Sequence, residues 1–212
     1  VTEEEARAWL NDSFDVSRET WERLETYVAS LLEEMQNQNL IAASTRDHVW
    51  ARHIVDSAQL LLHAPPVDEG GIWLDLGSGA GLPGIVIAIL SNWQVSLVES
   101  RKGRIGFLCA MIEKLSLANA RVHGCRLESL DVTVPVSVIS ARAFAPLDRL
   151  FEKAVRFAGG ETIWLLPKGK NCQNELQQVR PSWQGVFHVE QSVTDPESAI
   201  LVARSVRKRG KR

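Results

Sequence analysis

Apolar positions recur along the chain at two different rhythms. Behind Ser17, which is placed to cap a helix, Trp21, Leu24, Val28, Leu31, Leu32 and Met35 return every three or four residues, the stripe of an amphipathic helix. The polar run Asn37 to Asn39 ends it. A second helix is expected from Thr45 to about His63, where Pro65 and Pro66 stop it. Its apolar face carries Trp50, Ile54, Ala58 and Leu61, with His53 and Asp56 on the neighbouring face. Beyond Gly70 the rhythm shortens, predicting strands at 72–76, 95–99, 120–123, 136–140, 162–166, 185–191 and 199–205. Helices are expected between them near 83–91, 102–116, 145–157 and 171–180.

Strands that alternate with helices pair in parallel through right-handed crossovers. The last two strands have no helix between them, and "HVEQSVTDPESAILVARSV" predicts a hairpin looped at Thr194 to Ser198. That places an antiparallel pair at the end of an otherwise parallel sheet. The expected architecture is a helical lobe over 1–66, packed on an α/β domain over 67–206, with a basic tail over 207–212.

Charge and composition narrow the function classes. Residues 1–36 carry ten acids against three arginines, whereas Arg204, Arg207, Lys208, Arg209, Lys211 and Arg212 meet no acid after Ile200. A cationic end suits a polyanion or simply a solvated terminus. No apolar run approaches the ~20 residues of a membrane span, and no charged leader precedes an apolar stretch. A cytoplasmic location is expected. The three cysteines form no C-x-x-C pair, and the five histidines show no metal-ligand spacing, so neither disulfides nor a metal is expected.

The chemistry concentrates in "WLDLGSGAGLPG", Trp73 to Gly84. Gly79, Gly81 and Gly84 fit the G-x-G-x-x-G of a dinucleotide site, while Asp75, Gly77, Gly79 and Gly81 fit the D-x-G-x-G-x-G of an S-adenosylmethionine site. The loop follows a strand and opens a helix, the context either cofactor needs. Glu99, at the end of the second strand, is placed for ribose hydroxyls in both cases. Asp75 separates them, because a carboxylate there repels a pyrophosphate and balances a sulfonium and ammonium. The antiparallel end of the sheet points the same way, to the Rossmann-like seven-stranded methyltransferase fold. S-Adenosylmethionine is the expected cofactor, and a nicotinamide-dependent oxidoreductase is the alternative.

The segment after the fourth strand, "ISARAFAPLDRL", has neither the polar-Pro-Pro-aromatic loop that serves exocyclic amines nor a cysteine nucleophile after proline. A ring nitrogen with a free lone pair, such as guanine N7, needs only alignment. Arg142 is then available to bind the base, a phosphate or the cofactor. Arg126, Lys168 and Lys170 fall at the carboxyl ends of strands, where an RNA acceptor is expected to meet them, and Phe144 could stack on a base or belong to the core. A non-catalytic RNA-binding protein remains a further alternative.

"DLGSGAGLPG", "NLIAAS", "WARHIVDS", "SARAFAPL" and "LLPKG" together resemble the ribosomal RNA small subunit methyltransferase G family, also called glucose-inhibited division protein B, from about Trp21 to Val206. The resemblance implies N7 methylation of guanine 527 of 16S rRNA, with the small subunit or its precursor as partner; nothing in the sequence requires more than a monomer. It implies cofactor contacts at Gly77 and Leu82, which the neighbouring Ser78, Gly79 and Gly81 extend, and at Leu127, Glu128 and Arg142. Asn39, His53 and Asp56 would frame the pocket, with Asn39 and His53 on the RNA side. Glu128 or Asp75 would balance the cationic purine.

Overall fold

The computed structural model describes residues 1–67, 70–131 and 136–210. Strands β1 (Ile72–Leu76), β2 (Gln94–Val98), β3 (Ala120–His123), β4 (Val136–Ala141), β5 (Ala158–Lys168), β6 (Trp183–Gln191) and β7 (Ala199–Lys208) form one sheet. Its order is β3-β2-β1-β4-β5-β7-β6, and β7 runs antiparallel to both β5 and β6. The chain therefore leaves β1 toward one edge and returns from β4 toward the other. The crevice above the carboxyl ends of β1 and β4 is the topological switch point, where open α/β sheets bind ligands.

Helices α1 (Glu3–Phe14) and α2 (Arg18–Glu34) open the chain. The first was not expected from the apolar rhythm. It is set by a local device instead: Thr2 accepts from the Glu5 N–H while Glu5 accepts from the Thr2 N–H, a capping box. The helix expected from Thr45 to His63 is broken into pieces, with 3-10 turns at Ala43–His48 and Gln59–His63 flanking a π-helical stretch, Trp50–Val55, and the short α3, Asp56–Ala58. Glu3 holds the start of the π stretch, accepting from the backbone N–H of Trp50 and Ala51 at 3.0 Å each.

The remaining helices are α4 (Gly84–Leu90), α5 (Lys102–Lys114), α6 (Leu147–Ala154) and α7 (Cys172–Val179). Two apolar clusters cover the two faces of the sheet. Leu10, Leu24, Tyr27, Leu31, Trp50 and Ile54 of the N-terminal helices join Trp73, Ile85, Leu97 and Leu108 in one of them. The helical segment thus shares its core with the sheet. On the other face, Phe151 packs edge-on against Trp164 at 5.2 Å between ring centroids, with Trp183 at 5.4 Å.

Four strands exceed their expected lengths: β4 continues to Ala141, β5 begins at Ala158, β6 at Trp183, and β7 continues to Lys208. Arg207 and Lys208, expected in a tail, are ladder residues paired with Gln184 and Trp183. Lys211 and Arg212 lie outside the described residues.

Candidate active site

Gly77, Gly79 and Gly81 all have positive φ, between +59° and +94°, which a side chain resists. The loop they form is tied on both sides. Tyr27 donates its hydroxyl to the Ala80 carbonyl at 2.8 Å, and the Gly79 N–H donates to Glu99 at 3.1 Å. Gly77 also leaves room for an aromatic ring, since a Cβ there would lie 2.5 Å from Phe144 Cδ2.

Two clefts flank Phe144. A cleft of about 220 Å³ is lined by Gly77, Glu99, Arg101, Arg104, Arg126 and Leu127 among others. A larger one, about 830 Å³, is lined by Arg52, Asp56, Arg142, Pro146, Lys168 and Glu175 among others. Ala143 and Phe144 line both. Ala143 has φ +50°, a conformation a non-glycine residue holds only when its surroundings impose it.

Asp75 does not face either cleft. It is fully buried, accepting from Ser140 Oγ at 2.8 Å and from the Gly84 N–H at 3.3 Å. Ser140 in turn accepts from Trp73 Nε1 at 2.8 Å. Burial pushes the Asp75 carboxyl up to about 6, against the pull of these donors and of Arg142. The expected counter-charge for a sulfonium is therefore a brace, joining β1, β4 and the start of α4. Ser78 is likewise buried, its hydroxyl on the Asp75 carbonyl, and the Leu82 side chain belongs to the core.

Glu99 lines the smaller cleft while accepting from the N–H groups of Gly79, Ser100 and Arg101. Arg104 reaches over it, with Nη1 3.8 Å from Glu99 Oε2 and Nη2 donating to the Asn39 carbonyl at 3.2 Å. Asn39 itself is exposed beside this cleft's arginine and does not line the larger one. Arg126 is exposed at the cleft mouth, and Leu127 is buried against it. The Glu128 side chain lies elsewhere: it pairs with Lys153 on α6, which lowers its pKa. Neither Asp75 nor Glu128 is placed to balance a cationic product.

His53 is the other residue the structure relocates. Expected against RNA, it is 6% exposed and hydrogen-bonded at both ring nitrogens. Arg142 Nη2 lies 2.9 Å from Nδ1, and Thr45 Oγ1 lies 2.7 Å from Nε2. A guanidinium only donates, so Nδ1 accepts and carries no proton. Nε2–H then donates to Thr45, whose hydroxyl donates to the Ala42 carbonyl at 2.8 Å. Burial first, then Arg142 and Arg52, hold the His53 pKa down to about 3. The ring is a neutral imidazole across the physiological range.

Arg142 thus lies at the end of β4 with its guanidinium turned to the helical segment. Nη1 is 3.6 Å from Asp56 Oδ2 and 3.4 Å from the Arg52 carbonyl. Burial raises the Asp56 pKa, and Arg142 and Thr194 oppose that rise. Asp56 and Gln59 also bind the β6–β7 loop through Thr194, Ser192 and the Val193 N–H. Arg52 pairs with Asp195 at 2.7 Å, which draws the Asp195 pKa down to about 2. Lys168 is paired with Glu175 at 2.8 Å, and Lys170 is exposed beyond it. Tyr27 and Arg104 carried no sequence signal, their carbonyl partners Ala80 and Asn39 lying far away in the chain, and Thr45 was expected only as a helix start. Among the described residues no cluster of three or more side chains suits a metal, and no helix is long and apolar enough to cross a membrane.

A sheet of this order with β7 reversed, and a glycine loop at its switch point, defines the class of S-adenosylmethionine-dependent methyltransferases. A glycopeptide N-methyltransferase complexed with S-adenosyl-L-methionine shares the fold, with a TM-score of 0.59 at 10% identity over 72% of this chain and 93% of that one. A methyltransferase from Aquifex aeolicus does so with a TM-score of 0.55 at 14% identity, over 74% and 91%. Within the class, the chain belongs to the rRNA small subunit methyltransferase G family, whose model matches residues 20–200. Relatives called ribosomal RNA small subunit methyltransferase G include one from Rhizorhabdus wittichii, 54% identical over 100% of this chain and 96% of its own. Another, from Sphingopyxis alaskensis, is 52% identical over 99% and 90%. A more distant one, from Parvibaculum lavamentivorans, is 40% identical over 91% and 86%. The oxidoreductase alternative is set aside by this membership.

Proposed function

We propose that the protein methylates N7 of guanine 527 in 16S rRNA, in the small ribosomal subunit or its precursor, working as a monomer in the cytoplasm. The glycine cradle fits S-adenosylmethionine: the loop presents bare backbone at Gly77, Gly79 and Gly81 with positive φ, Glu99 offers an acid at the end of β2, and Leu127 gives an apolar wall. Gly77, Glu99, Leu127 and the loop backbone at Gly79 and Gly81 would hold the cofactor, which supplies an electrophilic methyl group when bound.

One observation carries the choice of acceptor. Among the described residues lining the larger cleft, both acids are engaged, Asp56 with Arg142 and Glu175 with Lys168, and the neutral His53 behind them has no free nitrogen. An acceptor that must lose a proton before attack would find no idle base. Guanine N7 attacks with its own lone pair, and the chain has only to orient it. Arg142, Arg52 and Lys168 supply cationic donors for the purine edge or its phosphates.

Mapping N7-methylguanine in 16S rRNA from cells with and without the gene tests this. One modification, at 527, should vanish in its absence, return with the wild-type gene and fail to return with Arg142→Ala. An unchanged map would overturn the assignment.

A further inference from the structure

Arg142 is anchored from its backbone on β4, yet every polar group that meets its guanidinium comes from the N-terminal helical segment. The partners are His53 Nδ1, the Arg52 carbonyl and the Asp56 carboxylate. The first of these is the shortest contact, at 2.9 Å, and the ring that makes it is fixed from behind by Thr45 and the Ala42 carbonyl. We propose that His53 is a positioning residue whose unprotonated Nδ1 aims the Arg142 guanidinium at the mouth of the acceptor cleft.

The arrangement assigns each atom a task. Thr45 gives its hydrogen to Ala42, so its oxygen can only accept from His53 Nε2–H, and that choice leaves Nδ1 as the lone-pair end. A protonated ring would present N–H to a guanidinium and repel it. Burial, and then the charges of Arg142 and Arg52 beside the ring, keep the proton off; Asp56, the anion beyond them, is paired with Arg142. His53 is accordingly no general base: its one basic nitrogen is occupied by the arginine it directs. Arg142 in turn stands beside Ala143 and Phe144, the residues common to both clefts. A guanidinium displaced by a fraction of its own width would misplace the base against the methyl donor, and such misplacement costs about 100-fold in rate.

This inference rests on the methyltransferase function proposed above, and two substitutions separate it from a merely structural role. His53→Asn places a carbonyl oxygen where Nδ1 stood and drops the bond to Thr45. His53→Gln places an amide where Nε2 stood and drops the acceptor for Arg142. If His53 positions Arg142, methyl transfer to small-subunit RNA should fall roughly 10- to 100-fold in kcat/KM for His53→Gln, and far less for His53→Asn. The reverse order of the two variants, or full activity in both, would overturn the proposal. A second readout needs no RNA: in nitrogen-15 spectra of the folded protein, His53 should keep Nδ1 bare from pH 5 to 8, and Arg142→Ala should raise its pKa. A ring protonated at Nδ1 in that range would overturn the geometry even if transfer to RNA is confirmed. Conversely, a bare Nδ1 in a protein that methylates no rRNA would refute the function and leave the contact standing.

Discussion

The hydroxyl of Tyr27, in the middle of α2, donates to the carbonyl of Ala80 at the turn of the glycine loop, 2.8 Å away and out of reach of solvent. A helix in the N-terminal segment thereby fixes the curvature of the cofactor loop. Tyr27→Phe leaves that carbonyl buried without its donor, which should cost about 1–3 kcal/mol of stability. Affinity for S-adenosylmethionine should fall with it, because the loop must be ordered again on binding. Denaturant titration and calorimetry with the cofactor measure both. Unchanged affinity would mean that the loop holds its shape without α2.

Gly77 and Phe144 offer a paired test. Gly77→Ala puts a methyl 2.5 Å from the Phe144 ring on a backbone at φ +65°, where a Cβ costs about 1–2 kcal/mol. Cofactor affinity should drop at least tenfold. Adding Phe144→Leu relieves the steric part and should recover some of that loss, with the backbone part remaining. Equal affinities for the single and double variants would show that the ring is not what Gly77 accommodates.

Asp75 predicts how stability changes with pH. Its folded carboxyl keeps a proton up to about 6, whereas the ordinary value is 3.8. Between those values the native state binds more protons than the unfolded chain, so raising the pH through that window erodes stability. Above about 6 the penalty is constant. The loss through this group is on the order of 3 kcal/mol. Urea midpoints at several pH values should show this fall in the wild type and a flatter slope in Asp75→Asn. A wild type that gains stability through the same window relative to the variant would contradict the burial argument.

Glu3 should matter beyond its own helix. Its carboxylate accepts from Trp50 and Ala51 N–H groups, which no turn before them satisfies. Glu3→Ala should cost about 1–2 kcal/mol, and Glu3→Gln, with one acceptor left, about half. Thermal unfolding of the three proteins gives the series. An alanine variant as stable as the wild type would show that water replaces the carboxylate freely.

Much of the sheet was legible because buried strands declare themselves locally, as short apolar runs between turn residues, and the glycine loop is one contiguous motif. The first helix was missed for a related reason: only Ala6 and Leu10 of α1 are buried, too few to set a rhythm. Thr2 and Glu5, spaced as a capping box, were the available signal. The second helix read as continuous, since its pieces differ in hydrogen-bond spacing and not in apolar pattern. Asp75 was expected to face a ligand from its charge. Strand alternation places it on the side of Trp73, toward the shared core, and that side decides its role. The His53 contact with Arg142 spans 89 residues, and no local pattern encodes it.

β7 lies between β5 and β6 and runs antiparallel to both. During synthesis the sheet therefore stands open at an interior position until the last strand arrives, and β6 has no neighbour to hold it. The loop that joins them, with Asp195 on Arg52 and Thr194 on Asp56, docks in the same step on two residues that line the larger cleft. A sheet built this way gains one wall of the larger cleft only once its seventh strand is in place. Removing Ala199–Lys208 would strip both β5 and β6 of their antiparallel partner and take one side of the larger cleft with it.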